Sequence, residues 1–287
     1  MTKLRVLDLF SGIGGFSLGL ERTGGFETVA FCEIEPYPRA VLAKHWPGVP
    51  CYEDVRTLTA DALRRDGIAV DVICGGFPCQ DLSSAGKRAG LGNGTRSGLY
   101  AEVLRLACDL RPRFILMENV AGLLSGPSEQ LGGWFGRVLG DLASLGFDAE
   151  WENIPASALG APHRRERVWI VAYPSKDNDA KQQGIYRSRK NRQFSDHGSD
   201  VAHADGNNEQ GQQHGFLNQK RWQGSFLRPS RSCGDGAGQW ETEPAVGRVA
   251  NGVPNRAHRL AALGNSVIPQ IPELIGRAIL QAEGLSQ

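Results

Sequence analysis

Leu4-Arg5-Val6-Leu7-Asp8-Leu9-Phe10-Ser11-Gly12-Ile13-Gly14-Gly15-Phe16 runs from an apolar segment straight into a glycine-rich turn. Val6 to Phe10 reads as a strand, and the glycines let a ligand approach backbone amides where the following helix begins. A strict dinucleotide fingerprint starting at Gly12 needs glycine or alanine at position 17, and Ser17 stands there, which disfavours NAD and FAD. Glu33 closes the next strand-like run at about the distance at which an acid accepts hydrogen bonds from ribose hydroxyls. Asp54 follows a presumed third strand, within reach of an exocyclic amine. Together the two acids suit an adenosine-containing cofactor, although either alone could be a helix cap or a surface carboxylate.

Outward from this turn, β-rich runs alternate with amphipathic stretches as far as about residue 172, the pattern of βαβ units in a parallel sheet covered on both faces. Strands are predicted at Leu4 to Phe10, Glu27 to Glu33, Val70 to Cys74, Arg113 to Glu118, Phe147 to Ile154 and Arg167 to Tyr173. Helices are predicted near residues 14 to 22, 37 to 45, 54 to 65, 98 to 110 and 129 to 145. From residue 174 to about 240 the chain turns to Gln, Asn, Asp, Ser, Gly and Arg, with too little apolar surface to offset the entropy of ordering. After it, Ile268, Ile271, Leu274, Ile275, Ala278 and Ile279 fall at helical spacing. The expected organisation is a catalytic domain over residues 1–173, a polar and partly disordered insertion over 174–255, and a C-terminal segment, 256–287, returning to the first domain.

Composition excludes little. The 287 residues carry a net charge of +1, so any nucleic-acid contact has to come from local clusters. Nothing at the start of the chain resembles a signal peptide and no apolar run approaches membrane length, which predicts a cytoplasmic protein without membrane contact. The six cysteines lack paired Cys-x-x-Cys spacing, so no metal is expected.

Gly75-Gly76-Phe77-Pro78-Cys79-Gln80 lies just after an apolar strand, at the carboxyl end where open α/β sheets bind their ligands. Cys79, held next to a proline in a loop, is a better candidate for chemistry than a cysteine on a packed face. The next strand ends in Met117-Glu118-Asn119-Val120, bringing Glu118 to the same sheet edge. Arg165 and Arg167 start a later strand and, two apart, share a face. An isolated Arg-x-Arg is more often a solvated edge.

These elements, in this order, resemble the cytosine-5 DNA methyltransferases over most of the chain. The resemblance implies a Rossmann-like S-adenosylmethionine-dependent methyltransferase sheet with helices on both faces, plus a small irregular target-recognition lobe. Phe10, Ser11, Gly12, Ile13, Gly14 and Gly15 are similar to the family's first cofactor motif. Glu33 with Ile34 matches the ribose-binding acid, and Asp54 with Val55 the adenine-binding acid. Pro78-Cys79-Gln80 resembles the nucleophile motif, with Pro78 also against the cofactor. Arg96 to Leu106, with Leu99, resembles the helix behind the cofactor. Glu118-Asn119-Val120 resembles the catalytic-acid motif, Arg165 and Arg167 the arginines that hold the target base, and Gly264 with Asn265, Ser266 and Val267 the late motif closing the cofactor pocket. Two departures stand out. His163 replaces a frequent glutamine, and the family's ninth motif has only a weak counterpart, at Val246 to Arg259.

The mechanism implied by the resemblance adds the Cys79 thiolate to carbon 6 of a flipped-out cytosine, while Glu118, with a raised pKa, bonds N3 and the two arginines bind O2 and nearby backbone. Asp81 to Gly94 would then be the lid, with Gln80, Ser83, Lys87 and Arg88 meeting DNA. The insertion would supply further phosphate contacts from Arg187, Arg189, Lys190, Arg192 and Lys220-Arg221-Trp222. The implied partners are double-stranded DNA and a cognate restriction endonuclease, with the enzyme working as a monomer. Rivals are a tRNA cytosine-5 methyltransferase, which shares the Pro-Cys and Glu-Asn-Val motifs, and a non-catalytic DNA-binding relative, disfavoured by the intact Cys79, Glu118, Arg165 and Arg167. Low apolar content predicts that limited proteolysis of the DNA-free protein cuts first within residues 176 to 240; resistance there contradicts it.

Overall fold

In the computed structural model, residues 2–78, 99–125, 133–175 and 256–285 are described. In chain order the elements are β1 (Leu4–Leu9), α1 (Gly15–Glu21), β2 (Phe26–Cys32), α2 (Pro36–His45), β3 (Cys51–Tyr52), α3 (Ala60–Arg65), β4 (Val72–Gly76), α4 (Tyr100–Leu110), β5 (Phe114–Val120), α5 (Gly133–Ser144), β6 (Phe147–Ile154), β7 (Arg167–Pro174), α6 (Arg256–Asn265) and α7 (Gln270–Ala282). The strands form one sheet in the order β3-β2-β1-β4-β5-β7-β6, giving the Rossmann-like α/β class read from the sequence. No described helix is long and apolar enough to cross a membrane.

Two local expectations are corrected. The sheet is mixed, because β7 runs antiparallel to both β5 and β6. The connection from β6 to β7 contains only a 3₁₀ turn, Ala156–Leu159, and no helix to carry the chain back across the sheet, as a parallel crossover requires. The helix expected over 54–65 starts at Ala60. Ahead of it, Asp54 accepts the Arg56 backbone N–H at 2.9 Å and the Thr57 hydroxyl donates to the Asp54 carbonyl at 3.0 Å, making a turn instead. Thr59 then caps the helix by accepting the Ala62 N–H at 3.1 Å.

Alternation along the strands divides the core in two. Leu7, Leu9, Ile73, Ile115, Met117 and Ile170 face α4 and α5, where Val103, Leu106, Val138 and Leu142 are buried. Val6, Val72, Leu116 and Val171 face the other way, onto Phe16 and Leu20 of α1 and Ile271, Ile275 and Ile279 of α7. The four-residue spacing of those isoleucines gives α7 its apolar stripe. Both faces of β1, β4 and β5 are therefore covered, so their polar chemistry can emerge only at the carboxyl ends.

On β1 a polar group breaks the apolar pattern. Asp8, fully buried on β1, faces the α1 side, where Ser17 donates to its Oδ2 at 2.7 Å. The serine that disfavours a dinucleotide turn thus serves one oxygen of a buried acid, whose Oδ1 has no hydrogen-bond partner among the described residues. Burial pushes the Asp8 pKa up from 3.8 to about 7, outweighing the opposing hydrogen bonds from Ser17 and the Cys74 thiol. An acid whose pKa is higher folded than unfolded favours the fold at low pH, and that contribution is lost as pH rises from about 4 to about 7. Asp8→Asn is expected to flatten this part of the stability profile, by at most about 4 kcal/mol, in urea unfolding across that window. Parallel profiles for the two proteins would show that Asp8 is not the titrating group.

Candidate active site

A cavity of about 1050 Å³ opens at the carboxyl ends of β1, β2, β4 and β5. Of the residues singled out in the sequence, Phe10, Gly12, Glu33, Ile34, Asp54, Val55, Pro78, Leu99, Glu118, Arg165, Arg167 and Asn265 line it. Residues more than two hundred positions apart share one wall because the return of α6 and α7 closes the side that the sheet leaves open.

At one end of the cavity the glycine turn is tied down by Glu33. Its Oε2 accepts the Gly12 N–H at 2.7 Å and its Oε1 accepts the Glu35 N–H at 2.8 Å. Each oxygen keeps a lone pair free for a hydroxyl donor. Asp54 is gripped from the side by Arg56, whose Nη2 lies 2.6 Å from Oδ2. Those hydrogen bonds hold the Asp54 carboxyl below its ordinary pKa, so it is ionised at neutral pH. Phe10 takes a left-handed backbone conformation, φ 52°, at the head of the turn.

Other residues of the glycine and late motifs support the cavity without lining it. The Ser11 hydroxyl donates to the Asp8 carbonyl at 2.6 Å and accepts the Cys32 N–H at 3.2 Å, stapling β1 to β2. Gly14, at φ 84°, caps α1, and Ile13 is half-buried beside it. Gly15 meets the C-terminal segment so closely that a Cβ there would lie 2.8 Å from Val267 Cγ2 and 2.9 Å from Ser266 Oγ. A side chain at position 15 would push that segment away.

At the other end, β5 delivers Glu118 beside the end of β4. Gly76 pairs with it in register, and a Cβ on Gly76 would sit 2.9 Å from Glu118 Oε2, so a side chain there would displace the carboxylate. Arg167 Nε lies 2.9 Å from Glu118 Oε1. Burial pushes the Glu118 pKa up, and the opposing pull of Arg167 and Arg165 does not cancel it. Asn119, buried next door, donates through Nδ2 to the Phe77 carbonyl at 3.2 Å. It fixes the backbone that leads through Pro78 to position 79. Cys79, Gln80, Ser83, Lys87 and Arg88, the lid over 81–94, Arg96 and the insertion with its basic clusters lie outside the described residues.

The two arginines do different things. Arg167 serves Glu118, whereas Arg165 turns to the C-terminal segment and donates to the Gly264 carbonyl at 2.7 Å and the Ser266 carbonyl at 2.6 Å. Sequence reading also missed Tyr37 and His258, which line the cavity and stack with ring centroids 5.9 Å apart. Neither carries a local signal, because they meet only once α6 comes back over α2. His163 is exposed and outside the cavity lining. Among the described residues, no group of three or more His, Cys, Asp or Glu could hold a metal ion.

Compared with known proteins, residues 4–235 match the family model for C-5 cytosine-specific DNA methylase. The chain belongs to that family. It is 37% identical over 173 residues to the type II methyltransferase M2.BsuMI of Bacillus subtilis (strain 168), covering 59% of this chain and 42% of the relative. It is 35% identical over 191 residues to the type II methyltransferase M.Sau3AI of Staphylococcus aureus, covering 63% and 46%. Among solved structures, a prophage-encoded E. coli protein described as a DNA modification methyltransferase superposes with a TM-score of 0.50 at 30% identity, over 60% of this chain and 47% of that one. The chain thus spans less than half the length of these relatives.

In this family member the Glu118–Arg167 pair gives a titration that can be read directly. Arg167→Ala removes the strongest influence holding the Glu118 pKa down, so Glu118 should titrate at a higher pH, read by carboxyl-carbon NMR. An unchanged or lowered value contradicts the pairing.

Proposed function

We propose that this chain transfers a methyl group from S-adenosyl-L-methionine to carbon 5 of a flipped-out cytosine in a specific double-stranded DNA sequence. The observation that carries this reading is one cavity with two chemically different ends. Glu33 and Asp54 supply acceptors at the first, and a buried, arginine-paired Glu118 stands at the second, next to the turn leading to Cys79.

The donor set fits S-adenosylmethionine. Glu33 would take the ribose hydroxyls and Asp54 the adenine amine, between apolar walls from Phe10, Val55, Pro78 and Leu99. Bound there, the cofactor supplies an electrophilic methyl group. The chain's own residues prepare the base. The Cys79 thiolate donates an electron pair to carbon 6, forming a covalent bond that makes carbon 5 nucleophilic. Glu118, its pKa raised by burial, shares a proton with N3 as negative charge develops on the ring, and Arg167 faces O2. After methylation, loss of the carbon 5 proton to a base breaks the bond to Cys79 and restores the thiolate. The base has to leave the stack to reach Cys79, since carbon 6 is inaccessible in a duplex.

The type II names of the relatives support a cognate restriction endonuclease as functional partner; the same proposal has the enzyme acting as a monomer in the cytoplasm. The test is incorporation of label from methyl-labelled S-adenosylmethionine into unmethylated DNA and, in parallel, unmodified tRNA. DNA alone should be labelled; Cys79→Ala should fall to background, and Glu118→Gln should lose about 10²–10⁴-fold in rate. Label in tRNA alone would reassign the substrate, and label surviving in Cys79→Ala would remove the covalent route.

A further inference from the structure

Helix α6 forms a wall of the cavity through His258, Ala261, Ala262 and Asn265, yet it is thinly attached. Ala262 is its single buried residue among the described side chains, while Leu260 and Leu263 are 57% and 62% exposed. So little apolar burial cannot by itself fix a helix of this length, and most helical stability in proteins comes from such burial. Its last turn also leaves carbonyls without intrahelical partners.

Arg165 meets that need from a distant part of the chain. Its Nη1 donates to the Gly264 carbonyl at 2.7 Å and its Nη2 to the Ser266 carbonyl at 2.6 Å, a cationic fork at the negative end of α6. The backbone at Arg165 is held at φ 31°, sterically unfavourable for a residue with a side chain, so the surrounding structure imposes this geometry. The segment it grips continues into Ser266 and Val267, which press on Gly15 at the head of α1. Arg167, two residues on, pairs with Glu118. One short stretch of chain thus touches both the catalytic carboxylate and the wall opposite the sheet.

We propose that Arg165 is a positioning residue that caps α6 and clamps the C-terminal wall of the cavity to the catalytic edge, leaving contact with the target base to Arg167. The proposal rests on the cavity being the S-adenosylmethionine site. It divides a pair of arginines that sequence reading treats as equivalent. Cofactor retention then depends on Arg165, while the chemical step depends on Arg167.

Three readouts on the full chain test it: hydrogen exchange of the amides over 256–266, calorimetric titration with S-adenosylhomocysteine, and the split between KM for S-adenosylmethionine and kcat on DNA. For Arg165→Ala, loss of two charge-assisted hydrogen bonds should raise exchange over 256–266 and weaken S-adenosylhomocysteine binding by about tenfold or more, with KM rising in step. At saturating cofactor the fall in kcat should be smaller than the loss of cofactor affinity, and Arg167→Ala should leave the exchange of α6 unchanged while kcat falls. Arg165→Lys retains the charge but lacks the fork, so it should show an intermediate exchange rate; it replaces the alanine variant if that chain does not fold. Unchanged exchange and cofactor affinity in Arg165→Ala, with kcat lost, would return Arg165 to the base and overturn the proposal. Because exchange needs neither cofactor nor DNA, it judges the clamp even if S-adenosylhomocysteine fails to bind wild-type protein, an outcome that would count against the cofactor reading alone.

Discussion

Glu118 on β5 lies opposite Trp169 on β7, and Val120 opposite Arg167, in an antiparallel ladder that fixes how the carboxylate and the guanidinium meet. Side chains alternate along a strand, so a slip of one residue would send one of them to the wrong face. The buried hydrophobic residues on either side, Met117 and Ile170 toward one layer and Leu116 and Trp169 toward the other, hold that register by their own packing. The chemistry at the cavity is therefore maintained by the core. A charged pair at a buried edge is costly to leave incomplete, and Arg167 satisfies the Glu118 carboxylate without bringing its pKa down to the ordinary range.

The same logic appears at the other end of the cavity, with backbone amides in place of a cation. Glu33 takes the Gly12 and Glu35 N–H groups on its two oxygens, so a residue read as a ligand contact is first an organiser of the turn. Asp54 is similarly preset by Arg56. Both acids are ordered by the protein itself, which lowers the entropic cost of binding a flexible ligand. Asn119 does for the Phe77 carbonyl what Glu33 does for the glycine turn, holding backbone rather than ligand.

The sheet's mixed topology explains why the C-terminal helices matter. β7 enters between β5 and β6 from the opposite direction, and its start, next to Arg165, lies at the edge of the cavity. α7 buries Ile271, Ile275 and Ile279 against the face shared with α1, which brings Val267 onto Gly15 and leaves α6 over the cavity. The wall of the site is thus a by-product of covering one face of the sheet, completed by a few polar contacts at its rim.

Much of this was legible in the order of residues. Alternating apolar runs gave the strands of a layered α/β sheet, since burial on both faces leaves a continuous hydrophobic signature. Glycines after β1 and the acids at 33, 54 and 118 marked the edge where the cavity opens, because strand ends are where polar groups can leave a sheet covered on both faces. The direction of β7 was not legible, as a strand's pattern is the same read either way. Nor were the partners of Arg165: they are carbonyls, which every residue carries, about a hundred positions away. Ser17 read only as a missing glycine until folding set it against Asp8. Sequence by itself determined which groups are present and which segments must be buried, because both follow from side-chain chemistry and local periodicity. Tertiary structure alone decided which arginine meets a carboxylate and which meets a helix end, because that depends on distances set when the whole core packs.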